Sequence, residues 1–255
     1  MAYNILRKYV KGDLVMENRN FQIDTQWNII HYPEKPTGFG ILLIGDERHF
    51  VDKNKCFWTQ NEGKLVIINE LKKAGYTIFS SNLYGRHWGS NHAVELAQRL
   101  YQQVMRSEIL NHKIHILAEG MGALAAVSLM EKMQGQLRSV VLINPILSLK
   151  RQIEQEKEHK FFYKKLMMEV AVAHQKDFQV IETDLKETNP LVKLELGVPI
   201  KIIQVLSGGK SYNQSKLLQK LLENTEISPT YIVPEKKQQL GRQMINFFQQ
   251  HEQEL

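Results

Sequence analysis

Lys113-Ile114-His115-Ile116-Leu117-Ala118-Glu119-Gly120-Met121-Gly122-Ala123-Leu124-Ala125-Ala126 is the stretch on which the reading of this chain turns. A β-branched, apolar run ends at Leu117. Five small or flexible positions follow, from Ala118 to Gly122. A strongly helical apolar segment then runs from Ala123 towards Met133. Strand, tight turn and helix succeed one another with no loop between them. Gly120 stands at the apex of that turn, where a residue with no Cβ can take backbone conformations that others resist.

The pattern repeats outward in both directions. Alternating residues at 21–24 and 26–30 predict N-terminal antiparallel strands. After Pro33 and Pro36, Phe39-Gly40-Ile41-Leu42-Leu43-Ile44 is a short, continuously apolar run of the buried-strand type. A helix is expected over 61–73, closing at Gly75, then a strand over 76–79 and a helix over 91–107 with Asn91 near its cap. Beyond the central stretch come a strand at 139–143, a strand at 199–206, a helix at 216–223, a strand at 230–233 and a final amphipathic helix at 237–250. Strands alternating with helices predict an α/β fold with a mostly parallel central sheet flanked by helices. Residues 146–195 break the rhythm. A charged helical stretch at 150–160 precedes Phe161, Phe162, Leu166, Met167, Met168, Val170 and Val172, spaced as amphipathic helices are. They are read as a small helical cap insertion over the C-terminal edge of the sheet, within a single domain spanning 1–255.

The bulk numbers bound the function. The chain has 255 residues, a size at which a full core forms without metal or disulfide support. Its one cysteine, Cys56, excludes an internal disulfide framework and fits a reducing, cytoplasmic compartment. Met1 to Val10 lack the uninterrupted apolar core of a signal peptide, and no apolar run approaches the length of a membrane span. The net charge of +6 comes from 33 basic and 27 acidic residues that are scattered along the chain, so nucleic acid is not expected as a partner. A solvated Lys-rich surface accounts for the charge; an anionic partner or membrane surface is the sharper reading.

From about residue 20 onward the order of elements resembles the α/β-hydrolase superfamily. Residues 118–122 resemble its Gly-x-Ser-x-Gly nucleophile elbow, with Ala118 at the first Gly position, Gly122 at the last and Gly120 where the Ser belongs. Ile41-Leu42-Leu43-Ile44-Gly45 resembles the strand that enters the oxyanion loop. Gly75 to Ser90 resemble the next strand and its Gly-rich loop, with Asn82 where Asp is common. Val140 to Pro145 and Val198 to Ile202 resemble the two strands after the elbow helix.

The resemblance implies a Ser–His–acid triad, and the chain departs from it at each position. Gly120 has no side chain and cannot be a covalent nucleophile. The acid loop, Leu206-Ser207-Gly208-Gly209-Lys210-Ser211, holds no carboxylate, and the alternative acid position reads Asn144-Pro145. The loop after the last strand, Tyr231 to Gln238, holds no His. The degenerate positions are therefore Gly120, Lys210 and Lys237. Asp46 and Glu47 follow the oxyanion strand, where carboxylates would oppose a developing negative charge; they are expected to point to water. Glu119 lies one residue from the apex, and a packing or hydrogen-bonding role is favoured over a catalytic one. His49, His87 and His92 are read as solvent-facing or structural, ahead of a functional base. No metal-ligand spacing is present, and no cofactor is expected.

Two functions follow. The preferred one is a catalytically inactive pseudo-hydrolase that binds a small molecule, an acyl group or a protein partner. Its pocket would be drawn from Gly45, Asp46, Glu119, Gly120, Met121, Asn144, Phe161 and Phe162, with cap core favoured over pocket lining for the two phenylalanines. The second is an active ester or thioester hydrolase with a rearranged constellation. A homo-oligomer is compatible with either.

Overall fold

The computed structural model describes residues 4–10, 13–177, 179–181, 197–206, 227 and 229–252, with side chains from residue 17. Within it, a nine-stranded sheet runs β1(Asn4–Val10), β2(Asp13–Ile23), β3(Gln26–His31), β4(Gly40–Ile44), β5(Thr77–Ser81), β6(Ile114–Glu119), β7(Leu137–Ile143), β8(Ile200–Val205) and β9(Thr230–Ile232) in the spatial order β1-β2-β3-β5-β4-β6-β7-β8-β9. The first three strands form an antiparallel meander whose β3 pairs antiparallel with β5. From β5 to β9 every pairing is parallel.

The parallel strands are apolar on both faces because helices cover both. All five residues of β4 are buried. Leu42 and Ile44 join one core with α3(Asn91–Ser107) and α4(Gly122–Lys132). Ile41 and Leu43, pointing the other way as the pleat requires, join a second core with α1(Phe57–Gln60), α2(Glu62–Lys73) and α7(Leu240–Gln250). Ala93, Val94, Ala97, Leu100, Tyr101 and Val104 make the buried stripe of α3 at helical spacing. Its N-cap is Ser90 rather than Asn91: the Ser90 hydroxyl accepts from the Ala93 N–H.

Between β7 and β8 lie α5(Leu149–Glu156) and α6(Lys160–His174). Ile153, Leu166, Met167 and Val170 pack with Trp88 and Met121 in a third, smaller core beside the elbow. Phe161 and Phe162 are not part of it. They are 77% and 48% exposed, which corrects the reading of them as cap core. Phe161 falls on the face of α6 opposite Val170, and Phe162, one turn before Leu166, flanks the buried stripe in the first turn of the helix. The helix expected at 216–223 lies outside the described residues. The final helix is shorter than expected, since Pro234–Gln239 forms a 3-10 turn before α7 begins.

At the N-terminal ends of the parallel strands a buried polar relay ties the C-terminus to the sheet. Ser139 Oγ lies 2.8 Å from His115 Nδ1, and His115 Nε2 lies 3.3 Å from Glu252 Oε1. Tyr76 donates its hydroxyl to the same carboxylate oxygen at 2.6 Å. Burial pushes the His115 pKa down, against the pull of Glu252. The imidazole is thus neutral, with its proton on Nε2, and the contact is a hydrogen bond to a carboxylate rather than an ion pair. Ser, His and Glu are all present, but in a triad the serine faces Nε2 and the acid faces Nδ1. Here the order is reversed and Ser139 is fully buried, so the relay holds structure together. Replacing Glu252 by Ala strands two buried donors, at about 1–3 kcal/mol. A thermal melt should fall by several degrees, at about 2–4 °C per kcal/mol for a domain of this size; an unchanged melt would show that the tether carries no stability.

Candidate functional site

The elbow is built from the strand upward. β6 stays extended to Glu119, the chain reverses at Gly120 with φ +52°, and α4 starts two residues later. The left-handed backbone at 120 is where glycine has its advantage. Gly122 answers a different demand. A Cβ there would stand 2.5 Å from the Ile44 carbonyl oxygen and 2.7 Å from that of Gly45, so α4 approaches β4 only because the side chain is missing. The Gly120 N–H donates to the Ile143 carbonyl at 3.0 Å, and its own carbonyl accepts from the Ile146 N–H at 2.9 Å.

The space above Gly120 is filled. Asp46 turns inward and its Oδ1 accepts the backbone N–H of Met121 at 2.8 Å. A Cβ built on Gly120 would overlap that carboxylate. In a nucleophile elbow, the N–H of the residue after the nucleophile is an oxyanion donor. The Asp46 carboxylate occupies that donor and the room a serine side chain would need. This corrects the expectation that Asp46 points to water; Glu47 does so. The reason is local. The His49 N–H donates to the Asp46 carbonyl at 2.7 Å, and the His49 ring folds back over Gly45, where a Cβ could not fit. The turn so closed aims residue 46 inward.

The other expected residues are placed as follows. Glu119 is held by Lys64 of α2, whose ammonium also lies 4.8 Å from the centre of the Trp58 ring. Burial raises the Glu119 pKa, the Lys64 charge and hydrogen bond work against this, and Asp46 adds to it. Asn144, with φ +45°, accepts the Val205 N–H on its Oδ1 at 2.7 Å and stitches β7 to β8. Met121 is fully buried, and its Sδ accepts the Trp88 N–H at 3.3 Å. Lys237 is exposed on the 3-10 turn after β9. Lys210 and the rest of the loop from Ser207 lie outside the described residues. Burial pushes the Cys56 thiol up to about 11, which leaves it unreactive. Among the described residues no group of three or more His, Cys, Asp and Glu is arranged to hold a metal ion, and no helix is long and apolar enough to cross a membrane.

The histidines divide. His92 is partly exposed and stacks on Tyr84, with ring centroids 4.0 Å apart. His49 and His87 are buried, as is His31. His49 Nε2 lies 3.0 Å from Ser80 Oγ, while no described residue partners its Nδ1. This makes a Ser–His pair within the sheet, with Ser80 fully buried and no acid behind the imidazole. His87 Nδ1 accepts the Gly89 N–H at 3.2 Å. Residue type alone gives no signal for the His49–Ser80 contact, because its partners come from the loop after β4 and from β5, 31 residues apart.

Comparison with known proteins identifies the fold. No family model matches the chain, and no curated protein matches it. Many solved structures do. The acylaminoacyl peptidase of Pyrococcus horikoshii superposes with TM-score 0.66 at 11% identity over 100% of this chain, which spans 42% of that protein. The S-formylglutathione hydrolase of Agrobacterium tumefaciens gives TM-score 0.63 at 9% identity, covering 97% of this chain and 99% of its own. An alpha/beta hydrolase enzyme from the metagenome of sediments of the Mar Chica lagoon, Morocco, gives 0.55 at 12%, covering 91% and 98%.

Two outcomes test this geometry. Gly120→Ser introduces a non-glycine residue at positive φ, costing about 1–3 kcal/mol, and displaces Asp46 from the Met121 N–H, costing roughly 1–3 more. In an Asp46→Ala background only the first cost remains. A double-mutant cycle from denaturant melts should return a coupling of about 1 kcal/mol or more; zero coupling would mean that Asp46 does not occupy the apex. The second outcome concerns acid. Burial lowers the pKa of His31 to about 3, of His49 to about 4 and of His87 to about 3. Their unfolded values are near 6.5, so the unfolded chain binds protons first. The stability these groups contribute is complete above about pH 6.5 and is lost as pH falls towards the folded values, at about 2 kcal/mol for each group by pH 5. The melting temperature should drop steeply between pH 7 and pH 5, and a flat profile would contradict the burial of these rings. Sheet order, parallel pairing, the turn at Gly120 and the superpositions agree: the chain has the α/β-hydrolase fold.

Proposed function

We propose that this protein is a catalytically silent molecule on a hydrolase fold, and that it acts by binding a small molecule, an acyl group or a protein partner. The Asp46 carboxylate carries this reading. Acyl transfer on this fold needs a nucleophile above the elbow and donors aimed at a growing negative charge. At this elbow the apex side chain is missing, and the oxyanion donor already holds a carboxylate. A tetrahedral oxyanion brought to the same place would meet a like charge rather than a free N–H. The chain is read as one domain with 146–195 as its cap. A cytoplasmic, reducing setting fits its single, unreactive Cys56.

The expected rate on short p-nitrophenyl esters is no greater than the residual of a site stripped of its triad, about 10³–10⁴-fold over water. A rate thousands of times higher, abolished by a single change at the elbow, would overturn the proposal. One observation favours the second reading, an active hydrolase with a rearranged constellation: the His49–Ser80 contact supplies a base beside a hydroxyl. A fluorophosphonate probe separates the two. The silent protein is left unlabelled, whereas adduct mass mapped to Ser80 would identify a working nucleophile and establish the second reading.

A further inference from the structure

Outside the elbow, a cavity of about 450 Å³ lies between the loop that follows β5 and the cap helix α6. Its volume falls within the range of about 300–1,000 Å³ typical of small-ligand sites. None of its walls is an elbow residue, so what it binds is independent of whether the elbow is silent. The loop side is rigid. Asn82 donates to the Gln26 side chain, the Tyr84 N–H donates to the same oxygen, and the Leu83 N–H reaches Ser81 Oγ.

One end of the cavity is polar, with Arg86, Glu169, His87 and Ser90 in its lining. Arg86 lines it and uses one guanidinium nitrogen on Glu169. Glu169 also takes the Trp88 ring N–H at 3.2 Å and has Lys165 at 3.9 Å. Two cations thus surround one carboxylate whose lone pairs are in use. Arg86 offers a planar fork with further donors, suited to an incoming carboxylate. His87 lines the same end and is only 3% exposed. Its Nδ1 accepts the Gly89 N–H, so its proton sits on Nε2, and no described residue accepts it. That nitrogen is left free to donate to a group held in the cavity. The 17-residue helix α3 starts at Asn91 beside the cavity-lining Ser90 and adds the positive end of its dipole.

The opposite wall is apolar. Met168 and Val172, one turn apart on α6, are 60% and 79% exposed, and Ala173 lies beside them. A polar solute would gain nothing from that wall, and a plain hydrocarbon would leave the remaining Arg86 donors and His87 Nε2 unused.

We propose that this cavity binds a monocarboxylate with an apolar tail, its carboxylate on Arg86 and His87 and its tail along Met168, Val172 and Ala173. The probe is octanoate, titrated calorimetrically into the intact protein, with octan-1-ol and octylamine as comparators. The expected result is saturable octanoate binding, at least tenfold weaker binding of octanol, and none of octylamine. Arg86→Gln should weaken octanoate tenfold or more and leave octanol unchanged. Ala173→Phe, which fills the apolar end, should abolish both, with a melt to check that the variant is folded. Arg86 is partly exposed and its replacement does not depend on core packing, so that arm decides the matter even if Ala173→Phe unfolds. Absence of saturable octanoate binding, equal affinity for octanol, or octanoate binding that Arg86→Gln leaves intact would each overturn the proposal.

Discussion

A single left-handed residue holds this structure together. Gly120 turns β6 into α4 within two residues, and its backbone is bonded to the end of β7 on one side and to the segment beyond it on the other. The turn fixes the height at which α4 leaves the sheet. Gly122 then lets that helix rest directly on the carbonyl groups at the end of β4. β4 in turn delivers residue 46. The position of the Asp46 carboxylate is therefore a consequence of backbone geometry at 120 and 122, and it decides what the elbow can accommodate.

Both ends of the parallel strands carry chemistry-bearing side chains, and the two sets are used differently. At the N-terminal ends, Ser139, His115, Tyr76 and Glu252 satisfy one another around a neutral imidazole. At the C-terminal ends, Asp46, Glu119 and Lys64 gather around the turn, with Lys64 paired to Glu119 and Asp46 bonded to the Met121 N–H. The first set is closed. The second leaves a charged group at the apex, half-buried and bonded to one backbone donor.

Much of the fold could be read from residue order, because the relevant signals are local. Runs such as Ile41 to Ile44 and Val140 to Ile143 are apolar on both faces, and only a covered parallel sheet makes use of that. The stripe of α3 repeats at helical spacing over its whole length. What escaped was set by distant partners or by short signals. The apolar residues of β1 fall in pairs, Ile5-Leu6 and Tyr9-Val10, rather than alternating, and its register is set by pairing with β2. α1 is a single turn after Cys56. Ser90 and Asn91 are both good caps, and which one serves depends on where the Gly-rich loop ends. Of the site, the vacancy at Gly120 was legible from one letter. The inward turn of Asp46 was not, since its partner is 75 residues away. Nor was the His115–Glu252 contact, across 137 residues, or the burial of His49 and His87, which loop position argued against.

The inward carboxylate also constrains the evolutionary routes open to this chain. A serine at the apex and a free oxyanion donor belong to different elements, the β6–α4 turn and the loop after β4, yet they compete for the same few cubic ångströms. Neither change alone yields a working elbow: a serine without the removal of Asp46 has no room, and removal of Asp46 without a serine exposes a donor with nothing to serve. Drift along single substitutions therefore meets a barrier at the catalytic centre. The wall between α6 and the loop after β5, remote from that barrier, can change its ligand one residue at a time.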